Sequence, residues 1–152
     1  MLKTTNRRSF LKSAGVTAAG FWVAGGVSAR AGQSPNERLG MASIGIGGKG
    51  HSDSQDAARH GDLVAICDAD KNRLAGALKR FPKAKGYTDF RKMLEDMGRS
   101  IDAVTVSTPD HMHAPIGTMA MSMGLHCFAQ KPMTKSIEEA RIMAKMAAEK
   151  KL

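Results

Sequence analysis

From Leu39 onward, short apolar runs alternate with stretches of helical periodicity. Leu39–Ile46 is an apolar run ending in glycines and predicts a strand. Gly50–His60 predicts a helix, but a polar one, with apolar Ala57 and Ala58 only near its end. Asp62–Cys67 contains Leu63-Val64-Ala65-Ile66, a continuous run that suits a parallel strand covered on both faces. Asp70–Phe81 predicts a helix stopped by Pro82. Tyr87–Phe90 reads as a turn into another helix, which runs through Met97 to a stop at Gly98. Ile101–Ser107 is the next buried strand. Pro115 opens a helix with Ile116, Met119, Ala120 and Met123 as core-filling positions, and Gly124 closes it. His126–Ala129 is a short strand, with His126 expected to be structural. Ser136 and Glu139 form a capping box, whose helix would turn Ile137, Ala140, Ala144, Ala147 and Ala148 toward the sheet. This alternation gives an α/β fold: a Rossmann-type doubly wound parallel sheet in the order 3-2-1-4-5.

The strand-to-helix junctions carry the candidate chemistry. Gly45-Ile46-Gly47-Gly48-Lys49-Gly50 joins the first strand to the first helix. Gly45 permits a tight turn, Gly47 and Gly48 let backbone approach a pyrophosphate, and Gly50 lets the helix pack on the strand. Asp68 follows 18 residues after Gly50, at the end of the second strand. A carboxylate there accepts both adenosine-ribose hydroxyls and repels a 2′-phosphate, so NAD is preferred over NADP, with Arg73 the feature that favours NADP. Ser107, Thr108, Pro109, Asp110 and His113 follow the fourth strand, and Gln130, Lys131 and Pro132 follow the fifth. All are expected to meet the same crevice as cofactor contacts. Lys131 is the catalytic candidate, a lysine placed to take a proton from a substrate hydroxyl while hydride leaves the carbon. His111 and His113 have no third ligand at suggestive spacing, so no metal site is expected. His51 and His60 read as solvated.

Residues 1–31 have the layout of an export signal. Asn6-Arg7-Arg8-Ser9-Phe10-Leu11-Lys12 is a twin-arginine pattern, an apolar Gly/Ala-rich stretch follows, and Ala29-Arg30-Ala31 suits a signal peptidase. The stretch is too short and glycine-rich for a membrane anchor. The expectation is delivery to the periplasm by the twin-arginine machinery, with a linker over 32–38 and the nucleotide-binding domain over 39–152. A periplasmic nucleotide enzyme would have to bind its cofactor before export and retain it. The net charge of +9 agrees, since five of those charges lie in residues 1–31, which hold no acid. The remainder has no basic block with interleaved aromatics, which argues against nucleic acid. Export permits disulfides, but the strand order places Cys67 and Cys127 three strand spacings apart, so two buried free thiols are expected.

The glycine loop, Ser107-Thr108-Pro109-Asp110 with His113, and Lys131-Pro132 together resemble the glucose–fructose oxidoreductase/inositol dehydrogenase/MocA (Gfo/Idh/MocA) family. The resemblance covers residues 7–152 and points to its twin-arginine-exported branch. It departs at Gln130, where the family usually has Glu, and at Asp110, commonly Asn. The resemblance implies a sugar, cyclitol or polyol substrate, and leaves room for a homo-oligomer in the full-length form. It also implies a second α/β domain that builds the substrate pocket, so the expectation is a Rossmann domain truncated before that domain and lacking its last strand. Two other readings stay open: an NAD-dependent glycosidase of the same family, and a non-catalytic NAD-binding fragment.

Overall fold

A computed structural model describes residues Arg38–Leu152. The export signal and most of the linker read above lie outside the described residues. Five parallel strands form one sheet in the order β3-β2-β1-β4-β5. They are β1 (Gly40–Ile44), β2 (Asp62–Cys67), β3 (Lys85–Tyr87), β4 (Ala103–Val106) and β5 (His126–Ala129). The helices are α1 (Lys49–His60), α2 (Lys71–Arg80), α3 (Phe90–Met97), α4 (His113–Ser122) and α5 (Ile137–Lys150). The family of folds and the strand order read from the sequence are those observed.

The central strands are apolar on both faces because helices cover both. Ala42, Ala65, Val104 and Val106 are each fully buried. One face joins Ile44, Val104 and Val106 to Met93 and Leu94 of α3 and Ile116 and Ala120 of α4. The other joins Ile46, Leu63 and Ile66 to Ala57 of α1 and Leu74 and Ala77 of α2. Two buried hydroxyls satisfy each other in this core: Thr105 Oγ1 donates to Ser43 Oγ at 2.8 Å, across β4 and β1.

Three helix starts, those of α2, α3 and α5, follow from capping chemistry. Asp70 Oδ1 accepts the N–H of Asn72 at 2.8 Å and of Arg73 at 3.2 Å, which starts α2. Asp89 caps α3 through the N–H of Arg91. The Ser136–Glu139 capping box forms at the start of α5.

Four readings are corrected by packing. β3 falls in Lys85–Tyr87, reaching into the segment read as a turn; it is three residues long and pairs only with β2, so it carries little periodic signal. Helix α5 does not lay its alanine stripe on the sheet. Ile137 is 74% exposed, and the buried residue is Met143, which seats against Gly117 and packs with Ala114 and Met121. Helix α4 is therefore enclosed between sheet and α5, and Met121 is buried while Met123 is exposed. The His126 side chain is exposed, because β5 is an edge strand with its outer positions open. Cys67 and Cys127 are free, with β1 and β4 between their strands. Cys67 is buried and Cys127 only partly so. No helix among the described residues is long and apolar enough to cross a membrane.

Candidate functional site

The carboxyl ends of all five strands open on one edge, and the loops leaving them line a crevice there. Its larger part, about 460 Å³, is bounded by Gly45, Gly47, Asp68, Arg73, Ser107 and Thr108, among others. A smaller hollow of about 120 Å³ adjoins it, lined by Lys49, Ser107, Thr108, His113, Gln130 and Lys131. Ser107 and Thr108 border both spaces.

The glycine loop is built from backbone. Gly45 has φ 79°, and its N–H donates to the Cys67 carbonyl at 2.8 Å. A Cβ at Gly50 would collide with the Gly45 carbonyl oxygen and press on Ser107 Cβ at 3.1 Å. Loop and α1 therefore meet without a side chain between them, which leaves room at the helix N-terminus for an anion. Gly48 is exposed with φ 52°, and a Cβ at Gly47 would meet the Arg73 side chain at 2.9 Å.

Asp68 faces this loop. Its Oδ2 accepts the Ile46 N–H at 3.0 Å, and its Oδ1 accepts the Asp70 N–H at 2.9 Å. Each carboxylate oxygen retains a lone pair, so two ribose hydroxyls can still be accepted. Arg73 leaves the first turn of α2 toward the same space, held near Asp70 at 3.5 Å.

At the other end His113 is almost wholly buried, at 1% exposure. Its Nδ1 lies 2.7 Å from the Pro132 carbonyl oxygen and its Nε2 2.7 Å from the Thr108 carbonyl oxygen. The ring thus fastens the loop after β4 to the loop after β5. Thr108 Oγ1 is buried without a hydrogen-bond partner on the protein, at the border of both spaces. Lys131 is exposed at the rim of the hollow, and the Lys131–Pro132 peptide bond is cis.

The structure brings Gly45, Gly47, Asp68, Ser107, Thr108, His113, Gln130 and Lys131 onto one edge. It does not bring Asp110 to the same space. Asp110 is exposed and lies with His111 and Lys135 on a separate shallow surface. His111 and His113 also diverge, one exposed and one buried. Asp53 escaped the sequence reading. It is a buried carboxylate on α1, bound to Lys49, Ser107 and Gln130. The available signal was a Lys49–Asp53 pair at helical spacing on the helix with too few apolar residues.

The Asp53 carboxyl is held below its ordinary value. Burial works against ionisation there, but hydrogen bonds from Lys49, Ser107 and Gln130 outweigh it. The two thiols move the other way: burial and the nearby Asp68 charge push Cys67 up to about 12, and burial pushes Cys127 up to about 11.

Residues 38–152 match the Gfo/Idh/MocA family model, described as an oxidoreductase family with an NAD-binding Rossmann fold. The chain belongs to this family. Among its relatives, a glycosyl hydrolase family 109 protein of Shewanella pealeana is 29% identical over 88% of this chain and 35% of its own length. A UDP-N-acetylglucosamine 3-dehydrogenase of Acidithiobacillus ferrooxidans is 29% identical over 72% of this chain and 33% of its own. The WlbA dehydrogenase of Chromobacterium violaceum, solved with NADH and UDP-GlcNAcA, is 26% identical with a TM-score of 0.68, covering 78% of this chain and 34% of that one. This chain thus spans about a third of the length of these Gfo/Idh/MocA relatives.

Proposed function

We propose that residues 38–152 are the nucleotide-binding part of an NAD-dependent oxidoreductase acting on a sugar, cyclitol or related polyol. The observation that carries this reading is a pair of adjoining spaces that share Ser107 and Thr108, with Asp68 lining one and Lys131 the other. The cradle fits a dinucleotide. Gly50 lies where any Cβ would fill the loop–helix contact, the helix N-terminus is open to a pyrophosphate, and Asp68 keeps free lone pairs for ribose. NAD, when bound, supplies the hydride acceptor. Gly47 and Gly48 admit the pyrophosphate to the backbone, and Asp68 accepts from the adenosine ribose and disfavours a 2′-phosphate. Ser107, Thr108 and His113 shape the nicotinamide end. Lys131 Nζ takes the proton of the substrate hydroxyl as the carbon is oxidised. The route to the periplasm through the twin-arginine machinery belongs to the same proposal, supported by the Arg7-Arg8 pattern.

Calorimetric titration with NAD and NADP tests the cofactor. NAD should bind more tightly, and Gly47→Ala should weaken both nucleotides. Lys131→Met should bind NAD normally while abolishing sugar oxidation by the enzyme. NAD affinity unchanged in Gly47→Ala would refute the cradle. Fractionation of an Arg7→Lys/Arg8→Lys variant tests export, and arrival in the periplasm without the arginine pair would refute that part.

A glycosidase reading has its own support. The match to the glycosyl hydrolase family 109 protein covers 88% of the chain, which extends beyond residues 38–152. In that case the same Lys131 chemistry would begin a transient oxidation that ends in bond cleavage. Release of a free aglycone from a glycoside, with no net NADH formed, separates the two.

A further inference from the structure

Asp53 lies one turn into α1 and is 7% exposed. A carboxylate that deep requires partners, and its partners come from three elements. Lys49 Nζ is 2.8 Å from Oδ1, on the same helix. Ser107 Oγ donates to Oδ2 at 2.7 Å, from the end of β4. Gln130 Nε2 donates to Oδ2 at 3.0 Å, from the end of β5. The Gln130 amide then points its other atom forward, and Oε1 accepts the Lys131 backbone N–H at 3.3 Å.

The direction of that line is set by chemistry. A glutamine side chain has a donor end and an acceptor end and can present either. An ionised carboxylate only accepts. Asp53 therefore forces the amide nitrogen of Gln130 toward α1 and the amide oxygen toward Lys131. Gln130 is neutral and could present either end to Lys131, so it is the charge of Asp53 that settles the choice. The same carboxylate fixes the Ser107 hydroxyl, on the border of both parts of the crevice.

We infer that Asp53 is the positioning residue for Lys131, acting through the oriented Gln130 amide, so that a buried acid on α1 sets the loop that carries the proton-transfer lysine. This rests on the proposed role of Lys131. It assigns Asp53 a part in the reaction rather than in folding alone. Asparagine at position 53 keeps the shape and removes the obligate acceptor. Glutamate at position 130 restores a charge to the line if position 53 is asparagine. Glutamate at 130 opposite the native Asp53 instead sets two carboxylates in contact.

The test uses the 152-residue chain, nucleotide-free and with NADH as probe, in four forms: native, Asp53→Asn, Gln130→Glu and the double exchange. Hydrogen exchange is read at the Lys131 amide and at core amides of Val104 and Val106. Asp53→Asn should speed exchange at Lys131 by about tenfold more than at the core amides, because one charge-assisted link is lost locally. NADH affinity should fall by about the same factor. Gln130→Glu alone should be worse, and the double exchange should return both readings to within about threefold of native. A purely structural Asp53 would speed core and Lys131 amides by the same factor, and that result overturns the inference. So does a double exchange no better than Asp53→Asn. Should Asp53→Asn fail to fold, a folded double exchange with a protected Lys131 amide still supports the pairing, and an unfolded one refutes it. Native chain that binds no NADH would sink the functional proposal, while the Lys131 amide in nucleotide-free protein would still decide this one.

Discussion

The Asp68 carboxylate accepts the Ile46 N–H at 3.0 Å, so the acid proposed to receive the ribose also tethers the glycine loop. One substitution there should produce two effects. Asp68→Ala removes a charge-assisted acceptor from loop and ligand alike. NAD affinity should fall by about 1.5–3 kcal/mol, while NADP affinity falls less. Titration of both nucleotides checks this, and an unchanged NAD/NADP ratio would contradict the assignment.

Glycine substitutions should separate by surroundings. Gly50→Ala would drive a methyl into the Gly45 carbonyl, which is backbone and cannot swing away. The expected cost is about 1–3 kcal/mol. Gly76 lies within α2 with open space around it. Gly76→Ala should therefore stabilise by about 0.5–1 kcal/mol through helix propensity. Urea midpoints of the two variants should move in opposite directions from native.

Acid should loosen the site through Asp53. Its carboxyl titrates lower in the folded chain than the ordinary 3.8, so the unfolded chain takes up this proton first as pH falls. The stability it contributes is complete above the ordinary carboxylate range, declines as pH drops through that range, and is gone below its folded value. In Asp53→Asn the native–variant stability gap should narrow on acidification below about pH 4. A gap that widens as pH falls would reverse the sign and refute the environment described.

Both thiols should resist alkylation while the chain is folded. Cys67 at about 12 and Cys127 at about 11 carry very little thiolate at pH 8, where unfolding exposes ordinary thiols. Labelling by a maleimide should therefore track unfolding, with Cys67 the slower of the two because it is the more buried. At alkaline pH the same burial opposes folding. Stability from Cys67 is full below the unfolded value near 9.0 and is lost as pH rises toward about 12.

Much of the fold could be read because period and punctuation agree. Leu63–Ile66 is a short, uniformly apolar run flanked by acids, as suits a strand covered on both sides, and Asp70, Asp89 and Ser136 mark helix starts by side-chain chemistry. Met143 defeated that approach. Alanines at helical spacing look like a core stripe, but Gly117 offers a notch that a long methionine fills better. That notch exists only after α4 and α5 meet. The crevice was legible where single loops made it, as at Gly45–Gly50, Asp68 and Lys131. Asp53 was not, because its partners Ser107 and Gln130 are 54 and 77 residues away, and its local pairing with Lys49 is also what a solvated acid on a helix makes. Asp110 shows the opposite case, since Pro109 and Met112 on either side of the Asp110-His111 pair line the crevice while the pair itself lies on a separate surface.

Gly48 and Gly50 are two residues apart, and each is glycine for a different reason. Gly50 has ordinary torsions and no room; Gly48 has nothing within 4 Å of a Cβ but φ 52° and ψ −121°. One is fixed by space, the other by handedness. Mirror-image alanine, introduced by semisynthesis at 48, would find those torsions comfortable, since for a D-residue they correspond to an extended L conformation. The natural alphabet has no such letter, so at position 48 glycine is the genetic code's only achiral compromise.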